Sequence, residues 1–291
     1  MRAEQTLLLA KGSTPIEHAE NGRPCVKLSQ LVEDFYQSAR HKGFWLYSSW
    51  IEILLSYRST LLGPLWILIG TGIFVFAIGS LYGRVILADG SNVYRAHLAV
   101  GITLWYFITQ TAIGSCHFFR SFRSDILDGD NSYTDLLLKL VTTNLIYLLH
   151  NSVIVVIALI ITEVEFSIAA FLVLLTAPLV LLNIMWMCVI LSILGARYPD
   201  LQEFMQSALR LMFFVTPILW IPDEHSVRGA VINALLYVNP FYYFLEAIRA
   251  PLMYGQVPYF EIAVLTAALP IGWLAASWLY ARTRPWMALW L

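Results

Sequence analysis

Six apolar runs divide this chain and decide what it can fold into. They fall at approximately 61–83, 96–116, 140–161, 167–195, 207–221 and 261–281. Most have the roughly 20 residues that a helix needs to cross about 30 Å of hydrocarbon. Charged residues make up only 13% of the sequence, about half their usual share in soluble domains. The sequence therefore predicts an all-α membrane protein with six transmembrane helices.

The fifth apolar run is too short for a regular crossing. It follows a loop that carries Arg197, Asp200 and Glu203, and it breaks at Thr216-Pro217 before Pro222 ends it. Residues 222–260 then mix polar stretches with apolar pieces. Irregular backbone at membrane depth is tolerated only where protein or water surrounds it. This pattern predicts a short fifth helix followed by two re-entrant or interfacial helices on one side of the membrane.

Lysine and arginine predict the orientation of the helices. With a cytoplasmic N-terminus and six crossings, 14 of the 18 basic residues fall in cytoplasmic segments and 4 fall outside. Cytoplasmic loops carry such an excess in membrane proteins. Both termini are therefore expected in the cytoplasm. The net charge of −1 gives no argument for a nucleic-acid partner.

The N-terminal part of the chain divides into two segments. Residues 1–40 are polar and lack a sustained apolar period, which predicts a flexible cytoplasmic segment, with room for a short helix over 28–40, ahead of a transmembrane domain over 41–291. Over 44–57, polar side chains share one arc of a helix and apolar side chains fill the other side. This predicts an amphipathic helix lying along the membrane. Such a helix can anchor the chain or also contact a partner.

Sequence signatures of catalysis are missing. The chain contains no G-x-x-x-x-G-K-[ST] phosphate loop and no paired His, Cys or carboxylate spacing typical of a metal site. We therefore predict no catalytic residue, cofactor site or metal site, and expect energy to come from a partner or a gradient. His150 lies beside Asn151 within the third run, where we expect a hydrogen-bonded core histidine rather than a proton relay. That weakens the case for a gradient-driven carrier.

Aromatic residues, 14% of the chain, are candidates for lining a path. Many rings serve the membrane interface in any membrane protein. Rings within the bilayer offer flat apolar faces to sugar C–H groups, and tyrosine hydroxyls offer hydrogen bonds. This combination suits a long, uncharged polymer that must slide. The candidate path residues are Trp66, Phe74, Trp105, Tyr106, Trp220, Tyr242 and Tyr243.

Glu246 and Arg249 stand one helical turn apart in an otherwise apolar piece. At this spacing the two side chains can satisfy each other on one helix face. Two interpretations stay open: a structural clip that holds the re-entrant helices, and a gate that shapes the exit of a pathway. Under either one, truncating one partner leaves a poorly solvated charge.

Several stretches together resemble a known family. They are YRSTLLGPLW (57–66), NLIYLLHN (144–151), ARYPDL (196–201) with FFVTPILW (213–220), and NPFY (239–242) with EAIRAPL (246–252). In this order and spacing they are similar to the membrane subunit of polysaccharide-exporting ABC transporters, and the resemblance covers about residue 44 to the C-terminus. These permeases move lipid-linked O-antigen, capsule or teichoic-acid chains across the bacterial inner membrane.

The resemblance implies an assembly and a division of roles. Two copies of this chain would join two subunits that bind ATP and Mg, and an undecaprenyl-diphosphate-linked polysaccharide would pass near the dimer interface. Residues 222–260, with Glu246 and Arg249, would form the periplasmic gate. The helix over 44–57 and the loop near 118–130 would meet the ATPase. The residues assigned to this coupling role are Trp45, Glu52, Tyr57, Arg58, Arg120 and Arg123.

Three alternatives remain at the level of sequence. The first is an ABC permease for another lipid or a small molecule, and the second is a gradient-driven flippase. The third is a membrane-embedded sugar-transferring enzyme, which would need a clustered pair of carboxylates that the sequence does not show.

Overall fold

A computed structural model describes residues 29–58, 60–63, 65–86, 93–128, 132–164, 167–222 and 236–287. Within these ranges the protein is helical and contains no strand. The helices are α1 Gln30–Arg40, α2 Lys42–Tyr57, α3 Leu65–Ile86, α4 Val93–Cys116, α5 Phe118–Ser121, α6 Arg123–Asp128, α7 Tyr133–Ile161, α8 Val173–Arg197, α9 Leu201–Val215, α10 Pro240–Arg249 and α11 Tyr259–Met287. A 3₁₀ turn, Ile168–Leu172, leads into α8, and a π turn, Ala250–Tyr254, follows α10.

Five helical stretches in the described ranges are long and apolar enough to cross a membrane. They correspond to α3, α4, α7, α8 with its preceding 3₁₀ turn, and α11. The prediction of an all-α membrane protein is confirmed. The remaining predicted crossing, that of the fifth apolar run, falls on α9, whose 15 residues extend only about 22 Å at 1.5 Å per residue. A six-helix count therefore stays a prediction.

Helix α4 forms the centre of the bundle. About 72% of its membrane-length window is buried, whereas the corresponding windows of the other four helices are 22–28% buried. Helices α3, α7, α8 and α9 all pack against it. Because α4 is surrounded by protein, its polar and aromatic residues face neighbouring helices and the spaces between them.

Helices α1 and α2 attach to one end of the bundle. Leu31, Phe35 and Ser38 form the buried side of α1, which packs on α7 and α11. Ordered packing therefore reaches back to residue 30, and 1–28 of the predicted N-terminal segment lie outside the described residues. Helix α2 contains the predicted amphipathic stretch and turns Ser49 towards α7.

Helix α10 is a short helix buried among longer ones. It packs against α4, α8 and α11. The Asn239 side chain caps its start by accepting from the Phe241 N–H and also donates to Thr216 Oγ1 at 2.8 Å. Gly255, with a φ of 62°, ends the following π turn, because glycine adopts this left-handed conformation without steric cost. The other half of the predicted re-entrant pair falls on 223–235, outside the described residues, so the pair stays a prediction.

Candidate substrate path and coupling surface

A large cavity separates α3, α4 and α9, and we call it the aromatic cleft. Its volume is about 570 Å³. Helix α9 contributes residues at positions i, i+3, i+4, i+7 and i+8, which form one helix face. Apart from Arg210, the lining carries no charge. The lining residues are Phe74, Ile102, Trp105, Tyr106, Thr109, Gln110, Ile113, Gln206, Leu209, Arg210, Phe213 and Phe214.

Three of the predicted path residues meet in the aromatic cleft: Phe74, Trp105 and Tyr106. Trp105 is 5% exposed and fixes the wall of the cleft through ring contacts. Its ring centroid lies 6.1 Å from that of Phe213 and 5.4 Å from that of Phe241, which meets it edge-on. These contacts connect the cleft to the first turn of α10.

The other predicted path residues lie elsewhere. Trp66 is exposed at the start of α3. The Trp220 indole donates to the Phe214 carbonyl at 3.0 Å, next to the cleft. Tyr243 is buried, and its hydroxyl donates to the Tyr237 carbonyl at 2.7 Å. Tyr242 lines a separate cavity close to the predicted gate residues.

A second cavity adjoins the aromatic cleft, and we call it the side chamber. It has a volume of about 300 Å³ and lies between α3, α4, α7 and the end of α2. Tyr106 and Gln110 line both spaces. The full lining is Tyr57, Ile67, Thr71, Thr103, Tyr106, Phe107, Gln110, Asn144, Tyr147, Leu148 and Asn151.

Sequence reasoning missed the side chamber, although a signal for it is present. The α4 lining residues are 103, 106, 107 and 110, and the α7 lining residues are 144, 147, 148 and 151. Each set follows i, i+3, i+4, i+7 spacing, which marks one face of a helix. Two polar faces of this kind within apolar runs indicate a shared internal space. Only the packing shows that the two faces point at each other.

The predicted gate residues form a largely buried ion pair, in which the Glu246 side chain is 18% exposed. Arg249 is 1% exposed, and its Nη1 donates to the Pro217 carbonyl at 2.8 Å. The same atom lies 3.6 Å from Glu246 Oε2. Gly101 of α4 makes room for the guanidinium, since an added Cβ would lie 2.5 Å from Nη2. Arg249 thus fastens α10 to α4 and to the irregular segment that follows α9.

Glu246 also borders a polar cavity of about 230 Å³. His97, Tyr242 and Tyr254 line the same space, and His97 Nδ1 lies 3.1 Å from the Tyr254 hydroxyl. This cavity lies near the start of α4, the end of the bundle for which the sequence predicts an extracytoplasmic position.

The predicted coupling residues of α2 meet the start of α7. Glu52 Oε2 lies 3.1 Å from Lys139 Nζ, and Ser49 Oγ donates to the Lys139 carbonyl at 3.0 Å. The Lys139 ammonium also lies 5.1 Å from the centre of the Phe122 ring. Lys139 therefore links α2 to the short helices α5 and α6. Tyr57, at the end of α2, lines the side chamber.

Exposed basic residues surround this junction. Arg58 follows α2, whereas Arg120 lies on α5 and Arg123 starts α6, and all three are exposed. Beneath α5, Phe118 packs edge-on against Tyr133 with ring centroids 5.3 Å apart. Arg120 thus projects from a short helix that packs on an aromatic ring of α7.

Helix α1 and Trp45 complete the same end of the bundle. Trp45 Nε1 donates to the Ser38 carbonyl at 3.0 Å, and Ser38 Oγ lies 2.6 Å from Thr134 Oγ1 at the start of α7. The Tyr280 hydroxyl of α11 donates to Asp34 Oδ2 at 2.7 Å. Helix α1 therefore joins the start of α7 to the end of α11.

Comparison with protein families identifies this bundle. The model of the ABC-2 type transporter family matches residues 45–253, which is more than half of the chain. The chain belongs to the ABC-2 type transporter family. A comparison with curated proteins gave no significant match.

Membership in the ABC-2 type transporter family makes this chain the transmembrane subunit of an ABC exporter and a multi-pass membrane protein. It implies that separate ATP-binding subunits act with the chain. The family match contains the aromatic cleft, the side chamber, the ion pair and all of α2 except its first three residues. Helices α1 and α11 lie outside it.

Proposed function

We propose that this ABC-2 permease exports a lipid-linked polysaccharide, such as an undecaprenyl-diphosphate-linked O-antigen, across the bacterial inner membrane. Two copies form the transmembrane part of the exporter. Two ATP-binding subunits, which hold ATP and Mg, supply the energy. Both termini of each permease chain lie in the cytoplasm, in agreement with the charge bias of the sequence.

The chemistry of the aromatic cleft is the observation that carries this proposal. Five rings line it, together with Thr109, Gln110 and Gln206. Rings pack against the apolar faces of sugars, whereas hydroxyl and carboxamide groups exchange hydrogen bonds with sugar hydroxyls. Only Arg210 is charged, so a neutral polymer meets few strong local attractions that would stop it from sliding.

The exposure of the cleft supports a paired assembly. Phe74 is 37% exposed and Phe214 is 64% exposed, although both line the cleft. Only about 22% of the membrane-length window of α3 is buried. In the proposed homodimer, a second copy covers this side and turns two open clefts into one conduit.

The junction at Lys139 supports the proposed coupling to ATP. A tilt of α2 would move Glu52 against Lys139 and Tyr57 against the side chamber. ATP binding in the partner would act on α2 and on Arg120 and Arg123. The resulting movement would reach the cleft through α7 and α4, which pack together.

Polymer export in cells that co-produce the ATP-binding subunit tests the proposal. The variant Phe74→Leu/Tyr106→Leu/Phe213→Leu replaces three of the five rings of the cleft with side chains that lack the flat face of a ring. Its export of polymer should fall by at least about tenfold, the change that corresponds to about 1.4 kcal/mol. The control Trp278→Leu removes an exposed ring of α11 outside the cleft lining and should export normally.

Three outcomes would refute the proposed function. Undiminished transport by the cleft variant would favour an ABC permease for another lipid or a small molecule. Export that survives inactivation of the ATPase would remove the proposed energy source. Export that stops when the proton gradient collapses at constant ATP would favour a gradient-driven flippase.

A further inference from the structure

Two polar residues of the side-chamber lining each carry a buried oxygen that lacks a hydrogen-bond partner in the described part of the chain. These oxygens are Thr103 Oγ1 and Asn151 Oδ1. Thr103 is 2% exposed and Asn151 is 5% exposed. A buried polar group without a partner costs free energy. Thr103 and Asn151 therefore have unused hydrogen-bonding capacity beside the chamber.

Other hydroxyl groups in the bundle form hydrogen bonds to backbone carbonyls of their own helix. Thr109 donates to the Trp105 carbonyl at 2.8 Å, and Ser115 donates to the Thr111 carbonyl at 2.7 Å. Both bonds reach back one helical turn, the usual solution for Ser and Thr in apolar helices. Thr103, on the same helix, makes no such bond.

The lining of the side chamber defines the chemistry of a ligand. Eight of its 11 residues carry uncharged polar side chains, and none carries a charge. A charged ligand would find no counter-charge in this lining, and an apolar ligand would leave the polar atoms unsatisfied. Carboxamides and hydroxyls both donate and accept, which matches a ligand rich in hydroxyl groups. These eight residues are Tyr57, Thr71, Thr103, Tyr106, Gln110, Asn144, Tyr147 and Asn151.

The size and position of the side chamber further restrict the kind of ligand that fits. A volume of about 300 Å³ equals roughly ten water molecules at about 30 Å³ each, enough for one sugar ring with its hydroxyl groups. Tyr106 and Gln110 form a boundary shared with the aromatic cleft. A sugar unit in the chamber would therefore lie one side chain away from the polymer in the cleft.

We propose that the side chamber binds one neutral sugar unit of the transported polymer. This inference rests on the proposed function and gives the path a specific recognition site. Tyr57 places the end of α2 against the bound sugar. The same helix carries Glu52, so an occupied chamber would also be sensed at the proposed coupling surface.

Ligand-observed NMR on the full permease with its ATP-binding subunit, in lipid nanodiscs, tests this site. The probes are the neutral methyl glycosides of mannose, rhamnose, galactose and N-acetylglucosamine, with methyl glucuronide as a charged comparison. At least one neutral glycoside should bind, and the glucuronide should not. The variant Thr103→Val/Asn151→Leu removes two hydrogen-bonding groups and should bind that glycoside about tenfold more weakly or worse.

A matched control variant separates the site from general effects of removing a buried hydroxyl. Thr111 lies on the same helix, is fully buried, also lacks a partner for its hydroxyl and does not line the chamber. Thr111→Val should bind the glycoside normally. Both variants should keep or raise the melting temperature, because each removes an unsatisfied polar group. A retained melting temperature shows that weaker binding does not come from unfolding.

Several results would overturn the proposed sugar site. These are binding of none of the neutral glycosides, equal binding of the glucuronide, and binding that the chamber variant leaves unchanged. Failure of the proposed function gives a different pattern. If the wild-type complex exports polymer but binds no glycoside, the chamber proposal is wrong and the function stands. If it binds glycosides in the chamber but exports no polymer, the sugar site stands and the assigned cargo is wrong.

Discussion

Replacing Arg249 tests the buried ion pair most directly. Arg249→Met keeps an unbranched apolar chain but removes the charge, the 2.8 Å bond to the Pro217 carbonyl and the partner of Glu246. Removing one member of a buried pair costs about 3–5 kcal/mol, because the remaining charge is left uncompensated. At about 2–4 °C per kcal/mol, the melting temperature should fall by about 6–20 °C.

The double variant Glu246→Leu/Arg249→Met tests how much of this loss comes from the unpaired charge of Glu246. Arg249 Nε and Nη2 have no hydrogen-bond partner among the described residues, and the 3.6 Å ion pair is longer than a hydrogen bond. This geometry compensates only part of the cost of burying two charges. The double variant should therefore regain most of the stability lost in Arg249→Met.

The melting temperatures of both variants can be measured by thermal unfolding of the detergent-solubilised protein, with size-exclusion chromatography as the readout of folded protein. Glu246→Gln is a third member of the series and should lose less stability than Arg249→Met, because the bond from Arg249 to the Pro217 carbonyl remains. The reasoning is refuted if Arg249→Met melts with the wild type. It is also refuted if the double variant melts no higher than Arg249→Met.

Two further predictions concern helix packing and the coupling surface. An added Cβ at Gly195 would meet the Cys116 carbonyl, so Gly195→Ala should lower the free energy of unfolding by about 1–3 kcal/mol. Gly70 has open space around it, so Gly70→Ala should leave the stability unchanged or raise it by up to about 1 kcal/mol. Equal melting temperatures of the two variants would contradict this prediction. Because the Glu52–Lys139 pair is partly exposed, Glu52→Gln should change stability by less than about 1 kcal/mol. The same variant should export less polymer per ATP hydrolysed. An unchanged ratio of export to hydrolysis would show that Glu52 does not belong to the coupling surface.

Much of the fold was predictable because the membrane imposes simple rules on sequence. A continuous apolar run of about 20 residues is the length of a membrane-spanning helix, which satisfies its own backbone hydrogen bonds, so the helices α3, α4, α7, α8 and α11 could be placed from length and composition. The amphipathic stretch over 44–57 likewise falls within α2. The fifth run was harder, since α9 ends at Val215 and the chain continues as an irregular segment.

The candidate site was predictable only in part. Phe74, Trp105 and Tyr106 could be singled out as mid-span rings, and the structure brings them into one cleft. Trp66 and Tyr243 have the same residue chemistry but lie elsewhere, because the face of a helix that a ring occupies depends on its neighbours. Composition gives no information about those neighbours.

The sequence by itself determined that this chain is a helical membrane protein with neither a phosphate loop nor a typical metal-binding motif. These properties depend on the length of apolar runs, the bias of positive charge and local motifs. Each of these is contained within one helix or one loop, so each can be read from the sequence. The tertiary structure decided that α4 is central and that α4 and α7 enclose a polar chamber. It also decided that Arg249 reaches Pro217 across 32 positions. These features depend on contacts between segments that are distant in the sequence, and the packing of the helices fixes the geometry of those contacts.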